Sequence, residues 1–381
     1  MKPQSYEIGT VDGHARNDDG NVVLVRTSIC GQHIPLPIVL KSFLEQKGIF
    51  NTMTEYLQSL SNDTSGKVLN FVQDELWQKL KAPFADKIVF LINLEFDDYE
   101  PDNPLGSHHG DHSLGGLYAS LPCLPPELFS VLDNMFLVCI FESKYRKIFG
   151  NDAVFYPAIA DLTSLEEEGI SINVDGVIYQ VYFCFSVMVG DNLGNNGIMG
   201  IIEGFRGNYY CRTCTLHRDV AAHHCGPVRD GKLRNVENYN DDVATNYATQ
   251  TGLKEAWNRV PSYHSTVNKY VEPMHDILGG ALKYDVCSIL WYFIAVRNYF
   301  DITTLSERID GFDYGPGEQG NKPPTSNFSL DKLQFCTINL SASEMLCLTR
   351  NLGQMIGDLV PEDSNVWKMY LTLREIVEFV T

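Results

Sequence analysis

Two aspartates and one pair of cysteines have the types and placement to do chemistry. Asp97 follows the apolar run KIVFLINLEF at 87–96, and Asp191 follows VIYQVYFCFSVMV at 177–189 and Gly190. Carboxylates at the ends of adjacent strands make an oxygen-rich site, the donor set that hard cations such as Mg²⁺ or Mn²⁺ take. Metal ions held this way can activate an attacking oxygen and stabilise a leaving oxygen in phosphoryl transfer. Asp98 competes with Asp97 for the first position. Either aspartate alone reads equally well as a strand-end turn residue. Cys211-x-x-Cys214 is the one CxxC in the chain. Such a loop presents two thiolates to a Zn²⁺ ion and leaves two ligands to be found. His217, His223, His224 and Cys225 are nearby candidates, and His264 and His275 are distant ones. A loop with two free thiols is the plain alternative.

The elements that must position these residues follow from pattern. Residues 1–85 read as an N-terminal leader and helices, with helical spacing in PIVLKSFLEQ (37–46) and DELWQKLK (74–81). From residue 86 the texture turns β-rich. Strands are expected at 87–96, 114–121 and 134–142, a helix at 157–169 ending at a glycine, and strands at 171–173 and 177–189. The order is β-β-β-α-β with a short extra hairpin. In a ribonuclease H-like sheet of that order the fourth strand lies parallel beside the first, and their C-terminal ends meet. The expected fold class is therefore α/β, a ribonuclease H-like mixed sheet over 86–210. A CxxC-containing zinc insertion at 211–280 and a helical C-terminal region at 281–381 follow, with a Gly/Pro-rich loop at 311–326.

Composition narrows the function classes. The 381 residues carry 29 Lys and Arg against 48 Asp and Glu, a formal net charge of −19. Phosphate backbones are held by Lys and Arg, so any DNA contact must come from a local patch or from bound metal. No continuous apolar run reaches the roughly 18 residues of a membrane span; the longest, VCSILWYFIAV at 286–296, reads as a buried helix. The start of the chain is polar and shows no signal-peptide core. Most of the ten cysteines, among them Cys139, Cys184 and Cys287, sit singly inside apolar runs and read as buried thiols of a reducing compartment. His108, His109 and His112 read as a solvated loop. The glycine-rich stretch 197–207 lacks a phosphate-loop lysine and reads as packing. Arg206 and Arg212 flank Tyr209 and Tyr210, a combination that suits a small nucleic-acid contact or simple packing.

Residues 96–107 (FDDYEPDNPLGS) resemble a signature of animal CACTA-like (En/Spm-like) DDE DNA transposases. The resemblance runs on through GDHSLGGLYAS (110–120), SLPCLPPE (120–127), DLTSLEEEGI (161–170), GDNLG (190–194), CRTC (211–214), MHDILGG (274–280), SASEM (341–345) and MIGDLVP (355–361). It implies a ribonuclease H-like fold, a zinc-bearing insertion after the second acid, and metal-dependent cutting and joining of transposon-end DNA in the nucleus. It also implies Asp97 and Asp191 as the first two acids. By the same resemblance, shared with the RAG recombinase catalytic subunit, distant histidines close the zinc site on Cys211 and Cys214, His275 first and His264 second. The implied partners are DNA and a second transposase subunit, with no membrane.

The chain departs from this pattern at the third acid. Gly279 stands where the family tends to carry Glu, which leaves Asp276 as the local substitute. The chain also ends at Thr381, before the region into which family chains continue, which implies a fragment or a transposase-derived protein. Two readings follow: a DDE-type strand transferase, or an inactive scaffold that keeps the fold.

Overall fold

Runs of β-branched and aromatic residues build one seven-stranded mixed sheet. The structure is a computed structural model, which describes every residue except 1, 17–20, 102–112, 205, 225, 229–230, 246–255 and 381. The chain divides into two compact units, Met1–Tyr270 and Val271–Thr381. The division falls at 270/271, ten residues before the expected 280/281 boundary.

In the first unit the strands are β1 (Gln4–Arg16), β2 (Val22–His33), β3 (Ile88–Tyr99), β4 (Leu114–Ser120), β5 (Phe136–Glu142), β6 (Ile170–Val174) and β7 (Val177–Val189). Their spatial order is β1-β2-β5-β4-β3-β7-β6. β3, β4 and β5 run antiparallel to one another, β7 lies parallel to β3, and β6 closes the far edge antiparallel to β7. The expected β-β-β-α-β succession is therefore present, with the extra hairpin before its last strand.

Gln4–Arg16 and Val22–His33 differ from expectation. They form an antiparallel ribbon, and β2 joins the sheet only through Gln32 and His33 against Ile140 and Cys139 of β5. β1 sends Tyr6 and Ile8 into the core, but the outer part of the ribbon is uncovered: Val22, Val23, Leu24 and Val25 are exposed. Where neither face is buried, the apolar alternation that marks a strand is diluted. The two helices expected from spacing follow the ribbon as α1 (Leu36–Leu44) and α3 (Glu75–Lys81), with a further helix, α2 (Ile49–Ser61), between them.

After β5 come α4 (Lys144–Phe149) and α5 (Asn151–Glu167). The sequence suggests that α5 starts at Pro157, a favoured first-turn residue. It starts at Asn151 and carries Pro157 inside, because Val154 and Phe155 extend its buried face upstream. Phe155 is fully buried and packs edge-on against Phe96 (5.9 Å) and Phe141 (5.5 Å), with Trp257 at 5.1 Å. Phe185 of β7 continues this aromatic core, stacking on Tyr263 at 4.2 Å. The core therefore lies directly beneath the end of β3 that carries Asp97.

The second unit is helical. A helix over Met274–Val296 is long and apolar enough to cross a membrane by length and composition. Leu278, Leu282, Val286, Leu290 and Phe293 along it are buried with Leu305, Leu348, Leu352, Trp367 and Tyr370, so it forms this unit's core. The expected loop at 311–326 contains short helical turns at Gly315–Glu318 and Gln319–Asn321.

Phe155→Ala is expected to lower the unfolding free energy by about 3–5 kcal/mol, the usual cost of deleting a buried aromatic ring. Denaturant unfolding followed by far-UV circular dichroism measures it, and a loss below about 1 kcal/mol would contradict this description of the core.

Candidate functional site

Asp97 and Asp191 are brought together by strand register. β3 and β7 pair in parallel from Ile88–Val181 to Glu95–Val189, and each aspartate comes two residues after that last pair. A β-bulge sets the count. Between Ile92 and Leu94 of β3, β7 advances from Phe185 to Met188, one residue more than its partner. Without that residue Asp191 would fall out of step with Asp97. The bulge is held by polar contacts: Ser186 Oγ donates to the Ile92 carbonyl at 2.8 Å, and the buried Asn268 amide donates to the Ser186 carbonyl at 2.7 Å.

The turn after β7 needs glycine. Gly190 has φ +152°, and a Cβ there would stand 3.0 Å from the Phe96 carbonyl. Asp191 then caps the short helix α6 (Asn192–Ile198), its Oδ1 accepting the Gly194 N–H. Three asparagines fix the segment. Asn195 donates to the Gly190 carbonyl, Asn196 to the Ile202 and Tyr210 carbonyls, and Asn151 to the Gly197 and Ile198 carbonyls.

Asp97, Asp98 and Asp191 line one cleft of about 230 Å³ together with Phe96, Arg146, Lys147 and Glu203. On a pleated strand Asp97 and Asp98 leave opposite faces. Asp97 lies on the Glu95 side, where burial and the Asp97 charge raise the Glu95 pKa. Asp98 lies on the Arg146 side and accepts a hydrogen bond from Ser143 Oγ at 2.5 Å. Burial of its carboxyl pushes Asp98 above the ordinary aspartate range. The Ser143 hydrogen bond and the Arg146 and Lys147 charges pull it part of the way back, and Asp97 pushes it further up.

Arg146, on α4, is 3% exposed. Its Nη2 donates to Glu203 Oε1 at 3.0 Å, and its guanidinium lies over the Phe96 ring at 5.6 Å. Lys147 Nζ stands 3.9 Å from Glu203 Oε2. Neither Arg146 nor Glu203 stood out in the sequence reading. The available signal was the run KYRK at 144–147, a dense basic patch in a strongly acidic chain, directly after a strand.

The other expected site residues are placed as follows. Asp276 and His275 belong to the second unit. There the Asp276 carboxylate accepts the Glu272 N–H, and His275 Nδ1 pairs with Glu272 Oε2 at 2.6 Å. In the first unit Cys211 and Cys214 are neighbours. Burial raises both thiols, and for Cys211 hydrogen bonds from Thr213 and Cys214 outweigh it, so that thiol is lowered while Cys214 is raised. His264 Nδ1 is engaged with Thr266, and its Nε2 is buried without a partner. Among the described residues, no three His, Cys, Asp or Glu side chains form a group that could hold a metal ion. Cys225, His108, His109, His112 and the NPLGS part of the signature lie outside the described residues. The described cysteines, the pair included, are free thiols, with Cys139, Cys184 and Cys287 buried as expected.

No protein-family model matches the chain, and no curated protein matches it in sequence. The cleft is therefore read from its own chemistry: carboxylates at a strand end, facing one buried guanidinium and one lysine.

Gly197 packs against the Arg146–Glu203 pair of the cleft wall. A Cβ there would stand 2.4 Å from Glu203 Oε1 and 2.6 Å from Arg146 Nη1. Gly197→Ala is expected to push this ion pair apart and to destabilise the protein by about 1–3 kcal/mol, as overpacking does. Thermal unfolding measures it, and an unchanged midpoint would contradict the packing described.

Proposed function

We propose that the chain is a DDE-type transposase-like domain whose ribonuclease H-like core performs metal-dependent phosphoryl transfer on DNA. One observation carries this reading: two parallel neighbouring strands end, in step, in Asp97 and Asp191 on a single cleft. The strand order β5-β4-β3-β7, with only the last pair parallel, is the order expected of that fold class. The resemblance of the motifs to CACTA-like transposases points the same way. It also supplies transposon-end DNA as the substrate, a nuclear setting and a partner transposase subunit.

The donors at the cleft are carboxylate oxygens, the chemistry a hard divalent cation takes. Asp191 would hold Mg²⁺ or Mn²⁺ together with the acids at the end of β3, Asp97 and its rival Asp98, which stands on the Arg146 side. When bound, the metal supplies positive charge that activates the attacking oxygen and stabilises the leaving one. The chain's own residues do the rest. Asp191 positions itself by capping α6. Asp98, raised by burial, accepts a hydrogen bond from Ser143 on the Arg146 side of the cleft. The third acid of this reading is Asp276, which rests on the resemblance alone. By the resemblance Cys211 and Cys214 would hold a structural zinc with His275 and His264; among the described residues no third ligand is grouped with the cysteines, and no step depends on it.

The second reading, an inactive transposase-derived scaffold, is favoured by one fact. Among the described residues the acids do not form a group of three that could hold a metal ion.

Cleavage of a labelled duplex in Mn²⁺ and then Mg²⁺ separates the two. The enzyme reading expects cutting that Asp191→Ala or Asp97→Asn lowers by ~10²–10³-fold, the size of losing one preorganised electrostatic contact in a transition state. Cutting unchanged by either substitution would sink the acid assignment. A folded wild-type chain that binds the duplex and never cuts it would establish the scaffold.

A further inference from the structure

Arg146 carries more hydrogen-bonding capacity than the free protein uses. A guanidinium has five N–H donors in a planar fork. In Arg146, Nη2 is committed to Glu203 Oε1, whereas Nε and Nη1 are shut off from solvent and meet no acceptor. A buried cation with unpaired donors is an expensive arrangement unless a ligand completes it.

We propose that Arg146 is the phosphate-gripping residue of the cleft and that Glu203 holds the place of a phosphate oxygen in the free protein. This deepens the phosphoryl-transfer reading and rests on it for the identity of the ligand. Nη2 shares one edge of the fork with Nε and the other with Nη1. Whichever hydrogen of Nη2 Glu203 takes, one edge with two parallel N–H donors stays unfilled. Such an edge matches two non-bridging phosphate oxygens, which a lysine cannot do.

The surroundings fix the fork in place. Phe96 lies beneath the guanidinium at 5.6 Å, and Gly197 lets the backbone close against Nη1. Lys147 is largely exposed and already within 3.9 Å of Glu203, so it can follow a phosphate that displaces the carboxylate. Asp97, Asp98, Asp191 and Glu203 outnumber Arg146 and Lys147 around the cleft. A phosphate therefore enters only with those carboxylates neutralised, and its binding should depend on a divalent cation.

Fluorescence anisotropy of a labelled DNA duplex in Mg²⁺, with pyrophosphate as competitor, tests this on the full chain. Glu203→Gln keeps the shape and removes the competing charge, and should tighten binding about tenfold, the size of one charge-assisted hydrogen bond. Arg146→Lys keeps the charge and loses the fork, and should weaken binding by a similar factor of about ten. A gain in Glu203→Gln cannot come from damage to the fold, so this variant stays informative if Arg146→Lys fails to fold. Binding by Glu203→Gln equal to or weaker than wild type, in a protein with an unchanged thermal midpoint, would overturn the proposal. So would wild-type affinity in Arg146→Lys.

The readout is binding and not cutting, so the two readings fail separately. A chain that never cuts but shows this pattern keeps the Arg146 site and loses the strand-transfer function. A chain that cuts through Asp191 while both variants bind as wild type loses the Arg146 site alone. Pyrophosphate binding with the variant pattern, but with no duplex binding, supports the site and assigns it to a small phosphate.

Discussion

The parallel pairing of β3 with β7, bulge included, is the constraint on which the site depends. Asp97 is carried on the end of one strand and Asp191 on the turn after the other, and the extra residue in β7 sets them in step. The surrounding polar groups serve that pairing. Ser186 and Asn268 satisfy the backbone at the bulge, Gly190 makes the turn, and the Asp191 cap starts the helix that closes the cleft. Below the acids, Phe96, Phe141, Phe155 and Trp257 form a packed layer that supports the end of β3.

Electrostatics shapes the cleft as much as topology does. In a chain with a formal charge of −19, a buried arginine needs a reason to stay buried. Here its charge faces Glu203 and Asp98, and it draws down an aspartate that burial would otherwise raise further. The positive charge needed to hold a phosphate is thus concentrated on two adjacent residues of α4 instead of being spread over a basic face.

Much of the central sheet was legible in the sequence. KIVFLINLEF, LGGLYAS, NMFLVCIFE and VIYQVYFCFSVMV are continuous apolar runs because their strands are covered by packed layers, and such runs are hard to read as anything else. The aspartates at two of their ends were legible for the same reason. The ribbon β1–β2 was not, because a strand pair that extends past the core alternates weakly. The start of α5 was displaced by Pro157, whose usual place is the first turn. Glu203 and Arg146 were illegible for a different reason. They are far apart in sequence and belong to different elements, and only the turn held by Asn151, Asn195 and Asn196 brings them to one wall. Asp276, offered by the resemblance, belongs to the second unit.

The central claim is that the joined ends of β3 and β7 form a site for a hard divalent cation and the phosphate it accompanies. Oxidative cleavage by Fe²⁺ substituted at the site measures this most directly, because an iron ion with ascorbate and peroxide cuts the polypeptide where it is bound. The account predicts cuts confined to the backbone near Phe96–Asp98 and near Asp191–Gly194, suppressed by excess Mg²⁺ and absent in Asp97→Asn. Cuts scattered over the acidic surface, or clustered at Cys211 and Cys214 while the two strand ends stay intact, would contradict it.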